Sequence, residues 1–133
     1  MVHQRWAKRK GSDAERELVD MFWSVAGWTA HRIAGSGSSK YPSPDVIAGS
    51  VQRKIVIEAK KTKDKTKYFS KEEIESLRLF SKIFGAEPYI AIKFQKENWL
   101  FLSIEDLEET NKSFKATLER LKQIGLLFEE MIK

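Results

Sequence analysis

The run PDVIAGSVQRKIVIEAKKT, residues 44–62, constrains the fold more than any other part of the chain. It holds two stretches rich in β-branched residues, DVIAG and RKIVIEAKK, on either side of a short turn at positions 50–52. This pattern predicts two antiparallel strands joined by a tight turn. A hairpin pairs the start of its first strand with the end of its second. Asp45 is therefore expected to lie close to Glu58 and Lys60, although twelve residues separate Asp45 from Glu58.

Alternation along the second of these strands sorts its side chains onto two faces. Successive residues of a strand point in opposite directions, so Ile55, Ile57 and Ala59 share one face. Glu58 and Lys60 project side by side from the other face, near the C-terminal end of the strand. The hairpin thus predicts an acidic and a basic side chain beside a second carboxylate.

Two carboxylates that meet in a partly buried place repel each other unless a cation lies between them. One interpretation makes Lys60 that cation, in an ion pair at the rim of the sheet that contributes little to the stability of the fold. The other places Mg²⁺ there, because this ion binds through a few carboxylates and keeps waters that phosphate oxygens can replace. Lys60 would then stand beside the attacking water, which is a minimal set for metal-assisted phosphodiester hydrolysis.

The rest of the chain predicts the element order α-β-β-β-α-β-β. The stretches SDAE (12–15) and SKEE (70–73) have the form of capping boxes and predict two helix starts. Further strands are predicted at 28–34, 88–94 and 99–104, and the Ser-, Gly- and Pro-containing stretch 35–44 is predicted to be an exposed, mobile loop. The fold class is therefore α/β, a mixed five-stranded sheet flanked by helices.

A length of 133 residues suits one domain with a modest core. We divide it into a basic N-terminal arm (1–11), a core (12–104) and a helical extension (105–133). The extension is predicted to be an amphipathic helix, whose apolar stripe would pack on its own domain or on a partner subunit. The stripe comprises Phe114, Leu118, Leu121, Gly125, Phe128 and Ile132.

Composition excludes several classes of function. The chain has no cysteine and two histidines, which rules out disulfides and thiolate chemistry and disfavours a zinc site. No apolar run reaches the ~20 residues of a membrane span and no signal peptide is visible, so a cytoplasmic protein without a membrane partner is expected. Residues 1–104 hold 19 Lys and Arg against 12 Asp and Glu, a net +7, whereas residues 105–133 are −2. The basic excess is concentrated near the N-terminus and in the lysine run KKTKDKTK (60–67). Such clustering suits a polyanion such as nucleic acid.

The motif Pro44-Asp45 followed by Glu58-Ala59-Lys60 resembles that of the PD-(D/E)xK nuclease superfamily, whose members share a restriction-endonuclease-like core. With RKGSDAERELV (9–19), HRIAGSGSS (31–39) and LFSKIFGAEPYIAIKF (79–94), the chain is similar to the archaeal Holliday junction resolvases of the Hjc type over residues 8–104. The resemblance implies a homodimeric endonuclease that resolves four-way DNA junctions in recombination and repair. It implies Mg²⁺, with Mn²⁺ as a substitute, and no small-molecule cofactor.

The resemblance also implies roles for single residues. Asp45 and Glu58 would bind the metal with the Ala59 carbonyl, Lys60 would position the attacking water, and Glu15 would complete the catalytic and metal site. DNA contacts would come from basic and hydroxyl side chains, namely Arg9, Lys10, Arg16, Arg32, Ser36, Ser38, Ser39 and Lys40. Phe80 and Phe84 would lie at the dimer interface.

Simpler interpretations remain open for several of these residues. Glu15 is also the N3 residue of a predicted capping box, and Arg16 could be an ordinary charge on a helix surface. Phe80 and Phe84 could be core residues. For the whole chain, the alternatives are another nuclease of the same superfamily, of restriction or repair type, and a DNA-binding protein without catalysis.

Overall fold

The computed structural model describes the backbone of residues 2–133 and the side chains of residues 11–36 and 38–133. The helices are α1 (Val2–Trp23), α2 (Lys71–Phe84), α3 (Leu118–Ile124) and α4 (Phe128–Met131). The strands are β1 (Thr29–Arg32), β2 (Val46–Gly49), β3 (Lys54–Thr62), β4 (Thr66–Ser70), β5 (Glu87–Phe94), β6 (Leu100–Ser103), β7 (Glu108–Glu109), β8 (Ser113–Thr117) and β9 (Leu126–Leu127). No described helix is long and apolar enough to cross a bilayer.

The central sheet is mixed and has six strands in the order β1-β2-β3-β5-β6-β9. Among the described strands, only the β3–β5 pairing is parallel, and α2 lies in the connection between these two strands. The predicted fold class is confirmed, and the five predicted strands are neighbours in this sheet. The two-residue strand β9, which sequence reasoning missed, pairs with β6 and adds the sixth strand.

Two hydrophobic clusters cover the two faces of the sheet. Ile55 and Ile57 of β3 pack in one cluster with Leu18 and Phe22 of α1, all of them fully buried or nearly so. Val56 points into the other cluster, which includes Ile74 and Leu77 of α2. Burying an Ile or Leu side chain contributes about 1.5–3 kcal/mol, so the alternation of β3 is held from both sides.

Helix α2 begins where its sequence predicts. The Ser70 hydroxyl accepts a hydrogen bond from the Glu73 backbone N–H at 3.0 Å, and the Glu73 carboxylate accepts one from the Ser70 N–H at 3.2 Å. Gly85 ends the helix in the left-handed conformation, with φ of 80°, where a side chain would be strained.

The predicted start of the first helix is wrong. Helix α1 already begins at Val2, so the stretch predicted as a basic arm is helical, and Ser12 and Glu15 lie inside the helix rather than at its cap. The Ser12 hydroxyl instead accepts a hydrogen bond from Arg32, 2.8 Å away. A capping box is a local pattern, and residues rich in helix-forming Arg and Lys precede this one, so the helix continues through it.

The segment between β3 and α2, where no strand is predicted, contains strand β4. Strand β4 pairs with β8, and β8 pairs with β7, to form a second, three-stranded antiparallel sheet. Phe69 of β4 and Phe114 of β8 face each other across this pairing and are both buried. The many polar residues of β4 hide its strand character in the sequence.

The C-terminal segment is not one amphipathic helix. The predicted apolar stripe begins in β8, where Phe114 and Ala116 are buried and alternate with more exposed neighbours. The Thr117 hydroxyl then caps α3 by accepting from the Arg120 N–H at 3.2 Å. Gly125 ends α3, and β9 and α4 follow. The segment contains helices, as predicted. The apolar spacing that suggested one helix, however, runs through strand β8 and across the end of α3 at Gly125.

Gly125 gives a testable packing constraint. A Cβ atom at this position would lie 2.4 Å from the Leu121 carbonyl oxygen and 3.1 Å from that of Phe101. We expect Gly125→Ala to lower the free energy of unfolding by about 1–3 kcal/mol, because both neighbours are backbone atoms that must shift. Urea denaturation measures the change.

The matched control is Gly11→Ala, in the middle of α1, where a Cβ would meet no heavy atom within 4 Å. That substitution should raise the free energy of unfolding by about 0.5–1 kcal/mol, since Gly disfavours a helix interior. Equal effects of the two substitutions would contradict the steric account of Gly125.

Candidate active site

Asp45 lies immediately before β2 and is 7% exposed. The β2–β3 register pairs Val46 with Ile57, which places Asp45 opposite Glu58 as predicted. One carboxylate oxygen of Asp45 accepts a hydrogen bond from the Ala59 backbone N–H at 2.9 Å, and the other accepts from the Ser36 hydroxyl at 2.6 Å. These bonds fix the carboxylate at the edge of the sheet.

Glu58 is a buried carboxylate beside another carboxylate. Its side chain is 13% exposed. Burial and the nearby charge of Asp45 raise the pKa of Glu58 to about 8, and the attraction of Lys60 only partly opposes them. The ionised form of Glu58 is therefore disfavoured here, and a cation beside the two carboxylates would favour it.

Lys60 lies between two carboxylates from different elements. Its ammonium nitrogen is 3.5 Å from a Glu58 oxygen on the same strand and 3.3 Å from a Glu73 oxygen in the first turn of α2. Burial lowers the pKa of Lys60, but Glu58 and Glu73 outweigh it, and the pKa is raised overall. Lys60 therefore stays protonated at neutral pH. The contact between Lys60 and Glu58 that the hairpin pattern predicts is present. The second contact of Lys60, with Glu73, was not predicted.

Glu15 and Arg32 form a second charged pair at the site. The Arg32 Nε donates to Glu15 at 2.9 Å, and another guanidinium nitrogen donates to the Ser12 hydroxyl. Burial and the charge of Asp45 raise the pKa of Glu15, against the pull of Arg32. Glu15 is thus close enough to Asp45 to feel its charge, and its capping alternative does not hold because it lies inside α1. Its role as a metal ligand stays a prediction.

A cleft of ≈ 1310 Å³ opens beside the hairpin, and Glu58 and Glu73 are not among the residues that line it. Glu15, Arg32, Ser36, Asp45 and Ala59 line it, together with Lys60. Basic side chains of β3, β5 and the turns that follow them surround the acidic centre, namely Lys61, Lys63, Lys93 and Lys96. A narrow acidic centre in a basic cleft suits a substrate whose anionic backbone passes over a bound cation.

The other predicted DNA contacts are distributed unevenly. Ser36 and Ser38 line the cleft, while Ser36 is already bonded to Asp45. Ser39 accepts a hydrogen bond from the Tyr41 N–H, and the Lys40 ammonium lies 5.9 Å from the Tyr41 ring centre. Both residues are exposed.

Arg16 does not line the cleft. It pairs with Asp13 at 3.3 Å on the exposed surface of α1, and its side chain is 60% exposed. The side chains of Arg9 and Lys10 lie outside the described residues. Their predicted DNA contacts, and that of Arg16, stay predictions.

The site offers few protein ligands for a divalent metal. Within the described part of the chain, no three acidic or histidine side chains gather closely enough to form a ligand cluster. Asp45 and Glu58 offer two carboxylates and Ala59 a carbonyl. Mg²⁺ is commonly held by one or two carboxylates with waters and substrate phosphates completing its octahedron, so two are enough.

Sequence reasoning missed two contributors to the site: Ser12, which orients Arg32, and Glu73, which pairs with Lys60. It also did not place the lysines at positions 61, 63 and 96 beside the hairpin, where they line the cleft. Glu73 was visible as a capping residue, and the lysine run as a basic cluster. Their proximity to the hairpin depends on long-range packing, which no local pattern encodes.

The fold and the site together define a class. A mixed sheet that carries a Pro-Asp at the start of one strand, and a Glu-x-Lys at the end of its antiparallel neighbour, is the arrangement expected of a PD-(D/E)xK nuclease.

Comparison with known proteins narrows the class to a family. The family described as archaeal Holliday junction resolvase (Hjc) matches residues 6–133, including the C-terminal segment to which the sequence resemblance was not extended. The crossover junction endodeoxyribonuclease Hjc of Archaeoglobus fulgidus is 40% identical over 124 residues, 93% of this chain and 90% of that protein. That of Methanocaldococcus jannaschii is 42% identical over 125 residues, 93% of this chain and 87% of that protein.

A solved structure of Archaeoglobus fulgidus Hjc, a Holliday junction resolvase, superimposes with a TM-score of 0.82 at 38% identity. It covers 92% of this chain and 94% of its own. The chain belongs to the archaeal Holliday junction resolvase (Hjc) family.

The raised pKa of Glu58 predicts how stability depends on pH without metal. An unfolded Glu titrates near 4.5 and the folded Glu58 near 8, so the folded state holds the proton over that interval. Its stabilising contribution is complete below pH 4.5 and is lost as pH rises towards 8. We therefore expect the melting temperature of chelator-treated protein to fall between pH 5 and pH 8.

Glu58→Gln is the control, because a neutral amide cannot titrate. The difference in melting temperature between Glu58→Gln and the wild type should grow as pH rises, because the other ionisable side chains are common to both proteins. Glu73 does not offset the trend, since Lys60 and the Ser70 N–H outweigh burial and lower its pKa, which confines its effect to acid below pH 4.5. Parallel curves for the two proteins would refute the assignment.

Proposed function

We propose that this chain is a Holliday junction resolvase: an endodeoxyribonuclease that nicks opposing strands of four-way DNA junctions in recombination and repair. The observation that carries the proposal is that Asp45 and Lys60 line a basic cleft, with Glu58 in contact with Lys60, in a chain of the Hjc family. Its relatives named crossover junction endodeoxyribonuclease support the substrate. Such an enzyme would work in the cytoplasm, where archaeal DNA lies.

Asp45, Glu58 and the Ala59 carbonyl would hold Mg²⁺, with Mn²⁺ as a substitute, and Glu15 would complete the site. The ion would supply positive charge against the phosphate and lower the pKa of an attacking water, giving 5′-phosphate and 3′-hydroxyl ends. The neutralising charge would also return Glu58 to its ionised form. Asp45 and Glu58 would thus supply the negative charge that holds the ion.

Lys60 and Arg32 have distinct roles in this proposal. Lys60, protonated at neutral pH, donates hydrogen bonds and so orients the attacking water or the scissile phosphate, rather than removing a proton. Arg32 presents a planar guanidinium that can clamp a phosphate through two parallel bonds, which Lys cannot. Glu15 and Ser12 hold that guanidinium at the mouth of the cleft.

Junction DNA has near two-fold symmetry, so we propose a C2 homodimer that presents two identical sites at a fixed separation. Helix α2 offers a surface for it. Leu79, Ile83 and Phe84 are 48%, 78% and 54% exposed, and the Phe84 ring lies 5.3 Å from that of half-buried Phe80. Selectivity would then come from shape, since the basic clefts of both subunits are satisfied together only by correctly splayed arms.

The function is tested by incubation with a synthetic four-way junction and a linear duplex, each with and without Mg²⁺. We expect cleavage of the junction only with Mg²⁺, and little cleavage of the duplex. Asp45→Asn should lower the cleavage rate by at least about a thousandfold while junction affinity persists, because it removes metal-binding charge without removing basic surface. Efficient duplex cleavage would favour a restriction or repair nuclease, and unchanged cleavage by Asp45→Asn would refute the site.

The dimer is tested by Ile83→Glu, which places a charge on the most exposed apolar position of α2. We expect the variant to be monomeric by light scattering and to lose paired cutting of the two strands, because a buried unpaired charge disrupts an interface. Val51→Glu is the matched control, since Val51 is 92% exposed and belongs to the β2–β3 turn rather than to α2. A dimer that survives Ile83→Glu would show that another surface joins the subunits.

A further inference from the structure

Glu73 carries a feature that helix capping does not explain. Its two carboxylate oxygens have different partners: one accepts the Ser70 N–H at 3.2 Å, and the other lies 3.3 Å from the Lys60 ammonium. A capping residue at this position needs only the first contact. The second joins the start of α2 to the end of β3.

The capping box also fixes where Glu73 points. Ser70 and Glu73 bond reciprocally, so the carboxylate is anchored at its base and through one oxygen. Its free oxygen is thereby aimed at Lys60 without the side-chain freedom of an ordinary surface glutamate. The Glu73 side chain is 36% exposed and that of Lys60 30%, so the contact is partly shielded from water.

Lys60 needs such a partner if Glu58 binds a metal. The Lys60 ammonium is shared between Glu58 at 3.5 Å and Glu73 at 3.3 Å. A cation on Glu58 competes for the same carboxylate and repels the ammonium at close range. Without Glu73, Lys60 would then either block the cation or leave the site.

We propose that Glu73 is a positioning residue that retains Lys60 at the active site when Glu58 binds the metal ion. Glu73 touches neither substrate nor metal in this arrangement and acts through Lys60 alone. The inference rests on the proposed metal-dependent nuclease function.

The decisive variant is Glu73→Gln. Its side-chain carbonyl can still accept the Ser70 N–H, so the cap is kept while the charge that holds Lys60 is removed. Glu72→Gln is the matched control, because Glu72 lies in the same turn, carries the same charge and is exposed. Ser70→Ala is a second control, which weakens the cap but leaves the carboxylate.

The first measurement is Mn²⁺ binding to the free protein by calorimetry, without DNA. Glu73→Gln should weaken Mn²⁺ binding by about tenfold, because Lys60 then has Glu58 as its remaining anionic partner and competes with the ion. Glu72→Gln and Ser70→Ala should stay within about twofold of wild type. In a Lys60→Met background, Glu73→Gln should lose most of its effect, since the competing ammonium is gone.

The second measurement separates chemistry from binding. With saturating enzyme and junction, the single-turnover rate of Glu73→Gln should fall about 10- to 100-fold, as for other residues that orient a catalytic group. Its junction affinity and melting temperature should stay near those of wild type. A purely structural Glu73 would lower the melting temperature without changing Mn²⁺ binding.

The outcomes distinguish this inference from the function beneath it. If the wild type binds no Mn²⁺ in an Asp45-dependent manner, the metal-dependent function fails, and the role of Glu73 fails with it. If Mn²⁺ binding depends on Asp45 but Glu73→Gln matches Glu72→Gln in both measurements, the function stands and the role of Glu73 is overturned. An equal effect of Glu73→Gln with and without Lys60 would also overturn it.

Discussion

The register between β2 and β3 is the constraint on which the site depends. Val46 opposite Ile57 places Asp45 across from Glu58, and the hydrophobic clusters hold this pairing. A shift of one residue would turn Ile55 and Ile57 away from α1 and direct Glu58 into the core. Each fully buried isoleucine contributes about 1.5–3 kcal/mol, so the packing on α1 selects the register that also assembles the acidic pair.

The price of this arrangement is a buried carboxylate that resists ionisation, and the rest of the site is organised around that tension. Asp45 is satisfied by the Ala59 N–H and the Ser36 hydroxyl, whereas Glu58 has Lys60 as its principal partner. Glu58 thus departs from the usual rule that a buried acidic side chain is fully paired. Such departures are expected at functional positions, where a ligand supplies the missing stabilisation.

Strand alternation and a short turn were enough to predict that Asp45 meets Glu58 and Lys60, because both signals act within nineteen residues, 44–62. The same local reasoning failed where partners are distant in sequence. Strand β4 is recognisable only through its pairing with β8, which joins Thr66 to Thr117. The capping-box pattern at residues 12–15 gave a wrong helix start, because it lies inside a longer helix. The apolar stripe from 114 to 132 was predicted as one helix because it combines the spacing of a strand with that of a helix.

Charge is distributed in a way that leaves the cleft basic. Acidic side chains of the C-terminal segment pair with basic ones outside the cleft: Glu108 lies 2.9 Å from Lys115, and Glu109 contacts Lys71. Among the described residues, by contrast, the cleft lysines at positions 61, 63 and 96 have no ion pair. Unpaired lysines gain most from a phosphate backbone, because binding releases the counterions that the DNA had condensed. In the proposed enzyme, a bound cation would mediate between the acidic residues and the incoming polyanion, and the surrounding lysines would supply the attraction that draws the strand across the cleft.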